Sequence, residues 1–440
     1  MTAAALRGHV EVLAADRLQG RDTGSVGGLA AAHYIAGVLA AAGCEPAGDD
    51  GGWFQKTDVE RHELSGPGQL FLVDGDGVEH EMACGTDWLM FAGGPVAGTF
   101  DLVSAASEEA LPDTGEPDKV LVLTADVRTA YGWVRSGLTD GWAAVLLMGP
   151  PMPGEAQPAP AELISRPDAM ANIMVRGNSA AGFADGRWQQ LRLHLEAQTS
   201  SAAYNVLGRL PGVGSADDPT VADEVVVLTA HYDHVTGPAL EEGGDAIYNG
   251  ADDDASGVAA VLELARAAGS QEAGERTLLF LLVTGEEHGL LGTYYYLDHP
   301  AAPLEQTVYN LNFEMIGRPD PLVGGPGKLW LTGYELSNVG PAWADQGIEV
   351  VADPRPQQSF FQRSDNYAFV ERGVVAQSFS SYNMHQDYHR PSDEADRLDY
   401  DHMAQSLAVS WAALEMLVSG GFTPAWLEDA DLGLTSEGGR

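Results

Sequence analysis

Between residues 225 and 314, two nearly continuous apolar runs, VVVLTA and TLLFLLV, and a third strand-like segment, TVYNLNF, alternate with helix-patterned segments. A strand with one wet face alternates apolar and polar residues. A strand apolar at almost every position is buried on both faces, as in a parallel sheet covered by helices. DDASGVAAVLELARAAG and GLLGTYYYLDH fall between these runs with helical character, and YNVLGRLPG ahead of them reads as a strand and turn. Alternating strands and helices predict a three-layer α/β/α domain with a mainly parallel central sheet. Upstream, residues 3–18 and 27–42 carry helical apolar faces, separated by the Gly-rich loop LQGRDTGSVGG.

The stretch from 66 to 200 has a different character. QLFLVDGDGVEHEM alternates with period two around a DGDG turn, and LRLHLEAQ alternates again. KVLVLTAD reads as a short buried strand, AYGWVRSGLTDGWAAVLLMGP as a helix entering another, and MPGEAQPAPAE as a Pro-rich loop. A chain of 440 residues exceeds a single simple core, so this stretch is read as a smaller inserted α+β domain. The expected division is 1–65 and 201–420 for the main domain, 66–200 for the insertion, and 421–440 for a weakly ordered acidic tail.

Charge removes several functions. The formal net charge is −41, and only Lys56, Lys119 and Lys328 are lysines. Such a surface repels nucleic acid and anionic membranes, so neither is expected as a partner. No apolar stretch reaches the length of a membrane-spanning helix. The N-terminal residues lack a basic segment followed by an apolar run, so the chain reads as soluble and without a signal peptide. Cys44 and Cys84 form no metal motif and are open to pairing or to remaining free.

Ligands of open α/β sheets bind beyond the carboxyl ends of the strands. There this sequence places His231, Asp233 and His234 after the first run, Glu286, Glu287 and His288 after the second, and Glu314 at the end of the third. Asp252, Asp253 and Asp254 open the following helix, and HQDYHRPSDE supplies His385, Asp387, His389 and Asp393. Singly, each has an ordinary explanation: a surface histidine, acids favoured by a helix dipole, an Asp cap. Capping does not explain three apolar strands of one sheet all ending in metal-capable groups. Imidazole with carboxylate and no thiolate suits zinc, and also cobalt or manganese. One ligand from each of the three strand ends and the two loops makes five, more than one catalytic zinc takes, and fits two metals about 3.5–4 Å apart sharing a carboxylate.

HYDH, GADDDASG, GEEHGLLG, NFEMIGR and YHRPSDE, in that order, resemble the co-catalytic zinc exopeptidases of the aminopeptidase Y and bacterial leucyl aminopeptidase type. The middle segment is similar to the protease-associated (PA) domain inserted in many members. The resemblance implies that His231, Asp253 and Glu314 hold one zinc and that Asp253, Glu287 and His389 hold the second, with Asp253 bridging. It implies Glu286 as general base, Asp233 as the partner orienting His231, Tyr388 as an oxyanion stabiliser, and a cis peptide after Asp253. Many members place Asp where this chain has Glu314. The implied activity is removal of N-terminal residues from peptides. Its rivals are a carboxypeptidase, for which Arg318, Arg363 and Arg390 are available, a glutaminyl cyclase, and a receptor-like relative without catalysis. Phe360, Phe361 and Tyr367 are candidates for lining the side-chain pocket. His234, His288 and His385 are read as outer or surface residues, and Asp393 as a partner for His389.

Overall fold

The computed structural model describes residues 1–135, 137–150, 161–167, 169–237 and 244–434. The Pro-rich loop at 151–160 lies outside them. The chain divides into two compact units, Met1–Thr57 with Ala202–Arg440, and Asp58–Ser201.

Five strands build the heart of the larger unit: β1 (Tyr204–Leu210), β2 (Val225–His231), β3 (Thr277–Val283), β4 (Thr307–Glu314) and β5 (Ala376–Ser380). They lie in the order β1-β3-β2-β4-β5, flanked by short strands at Glu45–Pro46 and Phe54–Lys56 on one side and Leu329–Leu331 and Val350–Ala352 on the other. β3, β2, β4 and β5 run parallel, whereas β1 pairs antiparallel with β3. The sheet is therefore mixed, with a parallel centre.

β2 shows why the apolar runs are continuous. Val226, Leu228 and Ala230 face one layer, packing with Leu6, Val10, Ile35, Val258, Leu262 and Leu407 of four helices. Val225 and Val227 face the other, against Tyr296, Leu297, Phe369 and Val370 of helices Leu291–Asp298 and Asp365–Glu371. Each fully buried Val or Leu contributes roughly 1.5–3 kcal/mol. Buried on both sides, these strands lock in register and hold their carboxyl ends at one edge.

The smaller unit opens at Asp58, ahead of the boundary at 66 read from the sequence. Glu60–Leu64 pairs with Glu162–Ser165 and Ala197–Ser200 in a three-stranded sheet. Among the described residues the unit's main sheet has eight strands, with Gln69–Asp74, Trp188–His194 and Ala97–Ala105 antiparallel neighbours, and Lys119–Leu123 and Ala144–Met148 running parallel to Ala97–Ala105.

Residues 421–434 differ from the weak order expected of an acidic tail. Phe422 and Thr423 accept hydrogen bonds from Arg276 and Asn338, Trp426 pairs with Ser337, and Leu432 accepts from the Tyr367 hydroxyl. Trp426 also meets the Phe361 ring edge-on. A few apolar anchors outweigh the segment's charge. Tyr367 and Phe361 pack against each other in this arrangement, so of the three aromatics expected at the pocket only Phe360 lines it.

Candidate metal centre

His231 is the last residue of β2, buried at the sheet edge. Its Nδ1 lies 3.1 Å from the backbone carbonyl of Asp233. An Nδ1–H donated there leaves the Nε2 lone pair facing inward, the arrangement that fixes a ligating tautomer. Nε2 stands 3.2 Å from Asp253 Oδ1, 3.7 Å from Glu314 Oε1 and 3.9 Å from Glu286 Oε2. The Asp233 carboxylate is farther from Nδ1, at 3.8 Å, and accepts from the Thr23 hydroxyl and the Glu286 backbone N–H. Asp233 thus meets the imidazole through its main chain and steadies the base of Glu286 through its side chain.

The three consecutive aspartates divide their work. Asp252 accepts from the Gly317 N–H through Oδ1 and lies 2.9 Å from His385 Nε2 through Oδ2. Asp254 Oδ1 accepts from the N–H groups of Met315 and Gly257. Asp393 accepts the N–H groups of both Asp252 and Asp253, and pairs with Arg318 rather than with His389. The Asp253–Asp254 peptide is cis. Of the three side chains, Asp253 faces the centre with both oxygens: Oδ1 toward His231, and Oδ2 at 3.2 Å from His389 Nε2.

Glu286 and Glu287 follow Gly285 beyond the end of β3. Glu287 Oε2 lies 3.1 Å from His389 Nε2. Glu314 ends β4 and accepts a 2.6 Å hydrogen bond from Ser364. Tyr388 stacks on His389 at 3.9 Å between ring centroids. With Glu286, Glu287 and Glu314 it lines a cleft whose apolar side is Met315, Trp330 and Phe360.

The electrostatics call for cations. Burial opposes ionisation of Glu287, and Asp253 adds to that, but His234 and His389 outweigh both and hold it at about 2. Burial pulls the His389 imidazolium down, while Asp253 and Glu287 carry it up to about 10. Burial pushes Glu286 well above the ordinary carboxylate range, and Glu287, Glu314 and Asp365 reinforce it against the pull of His231. Glu287 Oε1, His389 Nε2 and Asp254 Oδ2 are buried without a hydrogen-bond partner. Orphaned buried acceptors are rare and costly; Glu287 and His389 fall in one cluster of metal-capable side chains and Asp254 in a second. Two groups have the spacing of a metal cradle among the described residues: His234, Asp253, Glu287 and His389, and His231, Asp254 and Glu314. The imidazole and carboxylate donors fit zinc, but these groups differ from the expected sets: Asp254 stands with His231 and Glu314, and His234 joins Asp253, Glu287 and His389, while Asp253 Oδ1 itself lies 3.2 Å from His231 Nε2.

Arg21 supports this floor. Its fully buried guanidinium donates to the carbonyls of Tyr232, Leu13, Asn249 and Gly250, tying the end of β2 to the loop carrying Asp253. Arg21→Met is expected to lower stability by about 3–5 kcal/mol, since each orphaned acceptor costs about 1–3 kcal/mol. The measurement is the urea midpoint at unchanged slope. A midpoint equal to wild type would show that the carbonyls find other donors.

Arg21, Ser364 and Asp365 lie in LQGRDTGSVGG and PRPQQSFFQRSDNYAF, segments that resemble parts of the family, but none of the three was expected as a site residue. Asp365 is buried and bonded to Thr293, with burial pushing its carboxyl up to about 7.

Residues 205–414 match the profile of peptidase family M28. A probable leucine aminopeptidase 2 of Aspergillus oryzae is 31% identical over 189 residues, covering 40% of this chain and 33% of that protein. Aminopeptidase YwaD of Bacillus subtilis is 30% identical over 137 residues, 31% of this chain and 27% of that protein. The matched segment thus spans about a third or less of these relatives. Among solved structures, an aminopeptidase from Aneurinibacillus sp. strain AM-1 superposes with a TM-score of 0.58 at 19% identity, covering 94% of this chain and 93% of that one. BSAP, a zinc aminopeptidase from Bacillus subtilis, superposes at 0.54 and 17% identity, covering 95% of each chain. At these identities the likeness is one of fold. Among the described residues no helix is long and apolar enough to cross a membrane.

Proposed function

Residues 205–414 belong to peptidase family M28, and from this we propose that the protein is a two-zinc aminopeptidase removing N-terminal residues from peptides. The observation that carries the reading is the placement of Asp253, whose two carboxylate oxygens each lie 3.2 Å from a different histidine, His231 and His389. His231, Asp253 and Glu314 would hold one zinc, and Asp253, Glu287 and His389 the other, with Asp253 between them. When bound, such metals lower the pKa of a water toward neutrality and polarise a carbonyl.

The chain's own groups supply the rest. Glu286 stands beside the metal ligands without being needed as one, and burial raises its affinity for a proton. It takes a proton from the attacking water and returns it to the departing amine. The Glu286 backbone is held by Asp233, so the base is aimed by a buried, paired carboxylate. Tyr388 lines the cleft and would donate to the developing oxyanion. Met315, Trp330 and Phe360 offer the first side chain an apolar surface.

A carboxypeptidase needs a cation for the substrate's terminal carboxylate. Arg318 is committed to Asp387 and Asp393. Arg363 lines the cleft over Phe360 and keeps this second reading open. An aminoacyl-p-nitroanilide assayed beside an N-blocked peptide separates the two. The aminopeptidase reading expects rapid cleavage of the first and none of the second, and the reverse would overturn it.

A further inference from the structure

His234 lies three residues beyond His231, past the end of β2, where the strand's alternation no longer says which way a side chain points. It is fully buried, and neither ring nitrogen has a hydrogen-bond partner. A buried neutral imidazole ordinarily donates one N–H to a carbonyl or carboxylate. Here Nδ1 is 2.9 Å from Glu287 Oε1, yet the two are not aligned as donor and acceptor, and both atoms remain orphaned. Nδ1 is also 3.8 Å from Asp253 Oδ2. The ring meets that of His389 edge-on at 5.5 Å. His389 Nε2 in turn sits 3.1 and 3.2 Å from oxygens of Glu287 and Asp253.

The 2.9–3.2 Å distances suit hydrogen bonds and neighbouring metal ligands alike, and the missing donor–acceptor alignment favours the second. Two donors each about 2.0–2.1 Å from a tetrahedral ion stand about 3.3 Å apart, with their lone pairs directed at the ion and not at each other. Ligand atoms of His234, Asp253, Glu287 and His389 all lie within 4.8 Å of one another. The backbone is also built around the ring. Gly250 has a φ of +55°, and a Cβ there would meet His234 Cγ at 2.5 Å and Cδ2 at 2.7 Å. Only a residue without a side chain lets the imidazole lie in this position.

We propose that His234 is a further protein ligand of the metal held by Asp253, Glu287 and His389. The assignment rests on the two-metal reading above. It makes the two ions unequal. One has two imidazoles and two carboxylates, with Asp253 shared. The other has the single imidazole of His231, with carboxylates around it. The ion bound by His234 is the tighter of the two, and the His231 ion is the exchangeable one.

Zinc X-ray absorption on the full-length wild-type protein loaded with two zinc tests this directly, because scattering from imidazole rings counts histidines around the metal. The expected result is three imidazoles per two zinc, falling to two in His234→Ala. In the same variant, competition with a chelator should show the tighter zinc weakened at least about 100-fold. One imidazole per zinc in the wild type overturns the His234 assignment and leaves the two-metal centre standing. A wild type that binds less than one zinc per chain overturns the centre itself and this assignment with it. The wild-type count decides the matter even if the variant does not fold.

Discussion

Glu286→Gln should lower kcat by about 10²–10⁴-fold, the usual contribution of a positioned general base, while the protein keeps its full metal content. Glutamine preserves the shape of the side chain and its place on the cleft wall but cannot accept the proton. Glu286 differs from its neighbour in what it touches. Glu287 packs against two histidines, His234 and His389, whereas the contact of Glu286 with His231 is the longer one, at 3.9 Å. Steady-state kinetics with zinc analysis on the same sample separate the two glutamates. Loss of activity with loss of metal would move Glu286 into the ligand set. Retained activity with intact metal would remove it from the mechanism.

The second large effect is at Asp253. Its carboxylate faces two histidines from opposite oxygens, and its backbone N–H is held by Asp393, so its position is set independently of any ion. Asp253→Ala removes the one side chain proposed to touch both metals. Stabilisation worth several kcal/mol is lost with them, on the order of 10³-fold or more in kcat/KM. The variant is also expected to lose zinc from both positions. A single-position ligand such as Glu314 should release one zinc preferentially, since its nearest histidine is His231. Zinc titration of the two variants side by side reads this asymmetry. Equal, single-zinc loss in both would show that Asp253 does not bridge.

Much of this was legible from the pattern of apolar strands ending in ionisable groups. His231 and Glu314 close strands, and Glu286 and Glu287 follow one, so the sheet alone carries them to a common edge. Asp253 and His389 sit on loops, and their convergence came from the motif resemblance rather than from periodicity. What escaped was set by tertiary contact. His234 follows the end of its strand, and its inward direction depends on the space left by Gly250. Asp393 seemed a partner for His389 four residues earlier, but its oxygens go to the Asp253 loop and to Arg318. The antiparallel pairing of β1 was invisible because an apolar strand reads alike in either direction. The 421–434 segment looked like a tail because its composition is acidic, while a few contacts through Trp426 and Leu432 decide its path.

The most direct test of the central claim is a crystal structure with anomalous scattering recorded on both sides of the zinc absorption edge. The account predicts two zinc peaks about 3.5–4 Å apart, one beside His231 and Glu314, one beside Glu287 and His389, with Asp253 between them. A single peak, or two peaks with Asp253 contacting only one, would contradict it.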